Sequence, residues 1–470
     1  MNAKILLLPA CLAVLLAGCS LAPTYTRPES LVPAAWPKGP AYRDTVTAPG
    51  APAAVDLGWR EFFPDRKLQE VIEMALNNNR DLRLAALNVE RARGIYGIGR
   101  GELFPTFDAV GGWRKQRTPA STFGGGGGTV TSTRYDVNLS VPSWEIDFFG
   151  RIRSQEEQAL EEYLATEQAR RSARILIVSD VANAYLVLAA DRENFRLSES
   201  TLGTQQASYD LVRRRYQVGL VSELDLRRAQ ASVDQARASA ARFMQLVAQD
   251  ENALNLLAGA RVPSELLPEG LETVLPPREI SAGLPSEVLL RRPDILAAEH
   301  RLKGANANIG AARAAFFPRI SLTAAAGTAS GELSGLFGAG SSAWTFSPVA
   351  VMPIFDARTW PALAVSRVDR EIAVTQYQRA IQSAFREVAD ALAVRGTVNR
   401  QIAALQSLVD ANERTYRLST VRFEKGIEDN LGVHDAQRSL FAAQRALIEV
   451  RLAGIANQVR LYAALGGGGE

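Results

Sequence analysis

The sequence predicts a mainly α-helical protein with a small β part, arranged as two tandem copies of one half-molecule. Three observations lead to this fold class. The sequence repeats itself at a spacing close to half its length. Each half contains a stretch with the two-residue alternation of a β-strand, and each half ends in a long coiled-coil pattern. We therefore expect each copy to contain a β-hairpin and a long coiled-coil hairpin.

The internal repeat is visible when the sequence is compared with itself. At an offset of 213 residues Phe104-Pro105 falls on Phe317-Pro318, and further along, at an offset of 207, Gly219 falls on Gly426. A period of this size is too long for a solenoid repeat, so each copy is expected to be a half-molecule with its own helices and strands.

The repeat divides the chain into segments. We expect a signal peptide at 1–18, a lipidated extended segment at 19–66, a first repeat at 67–262, a linker at 263–285, a second repeat at 286–465 and a C-terminal tail at 466–470. Within the repeats, the strand pairs are predicted at 106–143 and 319–353, and the helical hairpins at 151–258 and 362–465.

Each repeat begins with a predicted helix that ends at a Phe-Pro pair. These helices are expected at about 67–103 and 286–316. Proline cannot continue a helix, and it favours extended geometry in the residue before it. The Phe-Pro pair therefore marks the change from helix to strand.

The predicted strands follow directly. Apolar residues alternate with polar ones over Tyr135–Val141, and a similar alternation occurs over Ile320–Ala326. A partner strand is expected at 106–115, and a weaker fourth strand at 344–352. The five glycines of Gly124–Gly128 predict the loop tip of the first hairpin, because their backbone freedom disfavours regular structure.

A very long helical hairpin is predicted in each half. Arg151–Val218 contains no proline and one glycine, Gly203, so that about 65 residues at 1.5 Å each could extend roughly 100 Å. The returning limbs show apolar residues alternately three and four positions apart, which is the seam of a coiled coil. These positions are Leu226, Ala229, Val233, Ala236, Ala240, Phe243, Val247, Asp250, Leu254 and Leu257 in the first copy, and Ala436, Leu440, Ala443, Leu447, Val450, Gly454, Asn457, Leu461 and Ala464 in the second.

The tips of the two hairpins have matching residues. Gly219 and Gly426 suit the left-handed position after a helix, and Ser222 and Asp429 suit the N-cap of the returning helix. Plain turn chemistry explains these residue types. The tips as a whole comprise Gly219, Leu220, Val221 and Ser222 in the first repeat, and Gly426, Ile427, Glu428 and Asp429 in the second.

The N-terminus has the pattern of a bacterial lipoprotein signal. A lysine and a short apolar run precede Leu16-Ala17-Gly18-Cys19, which matches the lipobox in which the cysteine is acylated before cleavage. Cys19 is therefore the predicted lipidation site. Cleavage also removes Cys11, so the mature chain has one cysteine and cannot form an intrachain disulfide.

Composition argues against several function classes. The net charge of +3 gives no nucleic-acid footprint, and two histidines are a poor supply of acid, base or metal ligands. The sequence contains no HExxH, Walker or G-x-S-x-G motif, and the GIGRG stretch at 97–101 misses the dinucleotide pattern. We expect no enzyme, no cofactor and no metal site, and we interpret His434 beside Asp435 as a solvated or packed residue.

The predicted number of strands indicates that the protein is an oligomer. The longest apolar stretch, Ile175–Ala190, is interrupted by Asp180, so no membrane-spanning helix is expected. About four strands cannot close a membrane barrel, because single-chain barrels begin at about eight. Two copies would give eight strands and a filled interior, whereas three would give twelve and could enclose water. A homotrimer is therefore favoured.

The sequence resembles the TolC-like outer-membrane factors of tripartite efflux systems, and in particular their lipoprotein branch. The most specific motifs are Arg291–Ile295 (RRPDI) and Asp435–Leu440 (DAQRSL). The resemblance implies a twelve-stranded barrel in the outer membrane and a twelve-helix periplasmic tunnel, made by three chains. It also implies docking of the hairpin tips on a periplasmic adaptor, joined to an inner-membrane pump, often of the resistance-nodulation-division class, and export of toxic compounds or drugs.

Leu431 and Asp435 are the predicted periplasmic gate. They lie one helical turn apart on a face that is not the seam, and the resemblance matches them to positions that constrict the periplasmic entrance. In a trimer they would form a leucine ring beside a carboxylate ring, whereas the first repeat has Leu224 and Arg228 there. The alternative is that Leu431 packs on a neighbouring chain and Asp435 is a solvated acid.

Two other functions are compatible with the sequence. The chain could be an outer-membrane duct for protein secretion by an ABC exporter, or a structural lipoprotein that does not conduct and only tethers the layers of the envelope. The substrate, the particular adaptor and pump, and the resting state of the pore are not specified by the sequence.

Overall fold

The computed structural model describes residues 20–29, 31–43, 52–119, 128–281, 289–427 and 430–468. Cys19, Glu428, Asp429, the predicted signal peptide and most of the glycine loop lie outside these residues. The helices are α1 Trp59–Phe62, α2 Arg66–Asn78, α3 Arg80–Gly101, α4 Arg151–Gln217, α5 Glu223–Ala258, α6 Pro293–Ala314, α7 Thr359–Glu424 and α8 Asn430–Ala464. The strands are β1 Asp108–Pro119, β2 Thr129–Ile146, β3 Arg319–Ser330 and β4 Ser342–Val351.

The described chain divides into two compact units. The strand unit contains residues 20–29, 89–166 and 298–377, and therefore all four strands. The helical unit contains residues 31–43, 52–88, 167–281, 289–297, 378–427 and 430–468, and therefore both hairpin tips. The mainly helical fold with a small β part is confirmed.

The strand unit is organised around one antiparallel sheet with the order β1-β2-β3-β4. β2 pairs with β3, so the hairpins of the two repeats are hydrogen-bonded to each other. A bulge between Val141 and Trp144 shifts the register of this central pair. The first strand extends to Pro119, four residues beyond the predicted end, and the predicted fourth strand is present as β4.

The two faces of this sheet differ in polarity, and the apolar face is the exposed one. Leu139 lies opposite Ala109 and Ala326, and Ala326 lies opposite Trp344, so these residues share a face. Trp344 is 77% exposed and Leu139 is exposed as well. On the other face of β2, Asp136, Asn138 and Ser140 are polar and half-buried. A soluble sheet would bury the apolar face instead.

The N-terminal segment at 20–29 is fixed along α6 within the strand unit. Arg313 Nη1 donates to the carbonyl of Leu21 at 2.9 Å, and Asn306 Nδ2 donates to the carbonyl of Pro23 at 2.6 Å. Arg27 donates to both carboxylate oxygens of Glu299, which is buried. The segment that directly follows Cys19 is therefore held to the end of the helix that leads into β3.

The expected single helix at 67–103 is wrong, because the chain breaks at Asn79 into α2 and α3. Asn79 has extended backbone angles, φ −62° and ψ 131°, and its Oδ1 accepts from the backbone N–H groups of Asp81 and Leu82. One asparagine thus ends α2 and caps α3, because its side chain competes with helical hydrogen bonding.

The helix of the second repeat is shorter than the expected 286–316. It begins at Pro293, the position where proline is favoured because its missing N–H is not needed. Arg292 just before it is almost fully buried, donates to the carbonyl of Ala464 at 2.6 Å and pairs with Asp294 and Glu387. The RRPDI motif therefore joins the start of α6 to the end of α8.

The long hairpins are formed by α4 with α5 and by α7 with α8. α4 is continuous over 67 residues and α7 over 66. By length and composition α4 could cross a membrane, contrary to expectation, although 61% of its most apolar window is buried inside the protein, as in the core helix of a soluble protein. Gly203 does not interrupt α4.

The predicted coiled-coil seams are confirmed as the buried faces of α5 and α8. Every predicted seam residue in both helices is buried or half-buried. In the second hairpin Ala443 and Leu447 pack against Val409 of α7. A Cβ at Gly454 would lie 3.2 Å from Val398, so this glycine allows a close approach of α8 and α7.

The polar seam residues of the two hairpins, Asp250 and Asn457, have different surroundings. Asn457 is buried and donates to the carbonyl of Ala391 at 2.9 Å. Burial and the neighbouring carboxylate of Asp191 raise the pKa of Asp250 to about 6. Burial also raises the pKa of Asp191, and the positive charges of Arg242 and Arg445 oppose that rise. Asp250 therefore takes up its proton at a higher pH in the folded chain than in the unfolded chain.

We expect Asp250→Asn to change the pH dependence of the melting temperature. This substitution introduces the residue type that the second repeat has at the equivalent position, Asn457. An unfolded aspartate has a pKa of about 3.9, so the contribution of protonated Asp250 is present below about pH 4 and is lost as the pH rises to about 6. Asp250→Asn should remove this part of the slope of melting temperature against pH. Asp234→Asn, an exposed acid on the same helix, should keep the wild-type slope; an unchanged slope in Asp250→Asn would contradict the prediction.

Candidate functional site: the hairpin tips and the start of α8

Within the helical unit, α4 and α7 end with the same backbone geometry. Gly219 and Gly426 have φ +76° and +71°, which confirms the predicted left-handed positions. Leu220 N–H donates to the carbonyl of Arg215 and Ile427 N–H to that of Arg422, both at 2.9 Å. Together with the glycine N–H bonds to the third residue before each glycine, this is the Schellman arrangement that ends a helix.

The returning helix of the first hairpin starts with a capping box. Ser222 Oγ accepts from the backbone N–H of Asp225, and Asp225 Oδ2 accepts from the backbone N–H of Ser222, both at 3.2 Å. This confirms the N-cap predicted for Ser222. The corresponding N-cap predicted for Asp429 lies outside the described residues.

Large apolar side chains are exposed at both tips. Leu220 is 74% exposed and Ile427 is 62% exposed, and Val218 and Leu224 are exposed beside Leu220. Exposed apolar residues clustered at a turn are typical of a protein–protein contact. The tips therefore present an apolar surface. The location of the tips was predicted from the sequence, whereas the exposure of their apolar side chains was not.

Just before the two tips, the ends of α4 and α7 contact each other through a pair that was not predicted from the sequence. The guanidinium of Arg215 at the end of α4 lies over the ring of Phe423 at the end of α7, 4.8 Å from its centroid. This is a cation–π contact. The repeat aligned Tyr216, not Arg215, with Phe423, so the internal comparison gave no signal for it.

The predicted gate residues lie in the first two turns of α8. Leu431 is 42% exposed and half-covered by its own chain. The Asp435 side chain is mostly exposed, and its Oδ1 lies 3.0 Å from Arg438 Nη2. The positive charge of Arg438, which is not among the predicted gate residues, offsets part of the negative charge of Asp435.

A buried glutamine pair beside the gate residues connects the two repeats. Gln205 Nε2 of α4 donates to Gln437 Oε1 of α8 at 2.8 Å, and both side chains are buried. They line a cavity of about 150 Å³ together with His434 and Asp435. Burial lowers the pKa of His434, so its imidazole is neutral at pH 7. A buried polar contact thus joins the start of α8 to α4.

Metal binding has no support in the part of the chain that the structure describes. It contains no cluster of three or more histidine, cysteine, aspartate or glutamate side chains that could hold a metal ion.

Comparison with known proteins identifies the family of this chain. The family model for outer membrane efflux proteins matches residues 71–260 and 284–467, one match in each repeat. The toluene efflux pump outer membrane protein TtgC of Pseudomonas putida is 48% identical over 466 residues, covering 99% of this chain and 96% of TtgC.

Solved structures have the same fold. A membrane protein from Pseudomonas aeruginosa matches with a TM-score of 0.88 at 40% identity, covering 96% of this chain and 98% of that one. The open-state MtrE outer membrane channel of Neisseria gonorrhoeae matches with a TM-score of 0.85 at 37% identity, again covering 96% and 98%.

The fold, with its exposed apolar sheet and paired hairpins, is that of an outer-membrane channel subunit. The chain belongs to the outer membrane efflux protein family, as the sequence motifs predicted. Its location is the outer membrane, and its function is that of the outer-membrane component of an efflux pump.

Proposed function

We propose that three copies of the chain form one duct, with a twelve-stranded barrel in the outer membrane and a twelve-helix tunnel in the periplasm. The observation that carries this proposal is the open sheet. β1 and β4 are its edge strands in the described chain, and its apolar face is exposed. Unpaired strand edges are not tolerated in lipid, so another chain has to pair with them.

The proposed number of chains follows from the need for a water-filled interior of the barrel. The face that carries Asp136 and Asn138 is polar and suits contact with water. Eight strands would leave an interior filled by side chains, whereas twelve can enclose a water-filled pore. Three chains are therefore the smallest assembly that closes the sheet around a channel.

The duct serves a tripartite pump. A periplasmic adaptor binds the exposed apolar tips, and an inner-membrane pump of the resistance-nodulation-division class loads the substrate. The duct itself catalyses no reaction. The named substrate of TtgC, toluene, supports small toxic organic compounds as the exported class.

Deletion of the gene in its native host tests this function. We expect increased sensitivity to toluene and lipophilic antibiotics, restored by the wild-type chain, and ion conductance of the purified protein in planar bilayers. Unchanged sensitivity together with loss of a secreted protein would favour secretion by an ABC exporter. Absence of any conductance would favour a structural tether.

The proposed adaptor-docking surface consists of the two tips. Any L-residue at Gly219 or Gly426 would strain the turn, because both have positive φ, so a bulky residue there tests folding as well as docking. Leu220→Glu changes an exposed side chain and leaves the turn intact. We expect it to reduce export and adaptor binding, with normal protein level and assembly. Leu256→Glu, an equally exposed leucine far along α5, should export normally.

The proposed gate is a ring of Leu431 beside a ring of Asp435. We expect Leu431→Ala with Asp435→Ala to raise the resting single-channel conductance and to weaken cation selectivity, because the apolar closure and the carboxylates are both removed. Arg438→Gln should strengthen cation selectivity, since it frees the charge of Asp435. The matched control is Leu224→Ala with Arg228→Ala in the first repeat. Wild-type conductance in the gate variant would exclude these residues from the gate.

We also propose lipidation of Cys19. The support is the lipobox, together with hydrogen bonds that hold the segment after it, from Leu21 to Arg27, along α6. Cys19→Ser should abolish incorporation of labelled palmitate. The chain should still insert, because a closed barrel already holds the assembly in the membrane. Labelling that persists in Cys19→Ser would contradict the assignment.

A further inference from the structure

Four arginine side chains from three helices line one cavity of the helical unit. Arg60 belongs to α1, Arg83 to α3, and Arg170 and Arg174 to α4. The cavity has a volume of about 470 Å³. Glu73 is the one carboxylate among the described residues that line it. The lining therefore carries a large excess of positive charge.

Two of these four arginines have no ion pair among the residues that the structure describes. Glu73 pairs with Arg60 at 3.2 Å, and Glu167 lies 3.6 Å from Arg170 within the same helix. Over the described ranges neither Arg83 nor Arg174 has an ion pair. The Nε of Arg174 is buried and has no hydrogen-bond partner among those residues. A buried donor left unpaired in this way is costly.

The arrangement is also unfavourable for helix α4. Arg170 and Arg174 are four residues apart and therefore lie on one face, where like charges repel. Burial, with the charges of Arg170 and Arg60, lowers the pKa of Arg174. Arg60 is held in place by its contact with the ring of Trp59, 4.2 Å from the centroid. The fold thus holds like charges close together, an arrangement that a bound anion would stabilise.

We propose that this cavity binds an oxyanion, a phosphate or carboxylate group, through Arg174 with Arg170, Arg60 and Arg83. The planar guanidinium fork matches both groups, because it donates two parallel hydrogen bonds to paired oxygens. Leu76 and Leu82 line the same cavity, so the group can belong to a larger molecule with an apolar part. The site lies apart from the hairpin tips and the gate in sequence, and its test does not depend on export.

Titration calorimetry on the full-length protein in detergent at low ionic strength tests the site. Inorganic phosphate and acetate are the two probes, and tighter binding of one identifies the kind of group the site prefers. Arg174→Gln should weaken binding of the preferred probe by about tenfold or more, as expected for loss of a charged hydrogen bond. Arg171 is an exposed arginine that directly follows Arg170 in the same helix. The Arg171→Gln variant should bind the preferred probe as tightly as the wild type does.

Thermal stability distinguishes a binding role from a structural one. Without added anion, Arg174→Gln should melt at or above the wild-type temperature, because a repelled charge is removed. With phosphate or acetate only the wild type should gain stability. Arg170→Gln provides a second variant if Arg174→Gln does not fold. The proposal is overturned if neither probe binds the wild type, or if both arginine variants bind as tightly as it does.

Discussion

A β-sheet that enters a lipid bilayer has to pair all of its backbone N–H and C=O groups, and this constraint governs the whole molecule. Among its described residues the chain supplies one four-stranded sheet with two open edges and an exposed apolar face. For a single copy, the open edges are not tolerated in lipid, and the exposed apolar face is unfavourable in water. In the proposed trimer the strand edges of neighbouring chains meet, and the duplicated hairpins of each chain contribute a third of the tunnel wall.

The two repeats share the backbone geometry at their helix ends, but they differ in the charged and polar side chains at equivalent positions. Both tips end their first helix with a left-handed glycine and the same pair of hydrogen bonds. The seams differ, because the first has the acid Asp250 and the second has the amide Asn457. The start of the returning helix differs as well, with Arg228 in one repeat and Asp435 in the other. A gate carried by one hairpin, joined to the other repeat by Gln205 and Gln437, is consistent with this asymmetry.

Features that depend on periodicity or on a single backbone requirement could be predicted from the sequence. The seams follow from three- and four-residue spacing, and Gly219 and Gly426 follow from the need for positive φ. Contacts between distant segments could not be predicted, because no local pattern encodes them. The Arg215–Phe423 contact, the buried glutamine pair and the arginine cavity are of this kind. The break at Asn79 was not predicted, because the apolar periodicity continues across it. The helix ends there because of the hydrogen bonds of one side chain.

The mass of the purified protein tests the central claim most directly. Multi-angle light scattering of the full-length chain in detergent, corrected for bound detergent, gives the number of chains in a particle. The proposed trimer predicts a particle of three chains, each of about 50.9 kDa less the mass of the cleaved signal. A monomer or a dimer in the conducting preparation would contradict it, because four or eight strands could not enclose a water-filled pore.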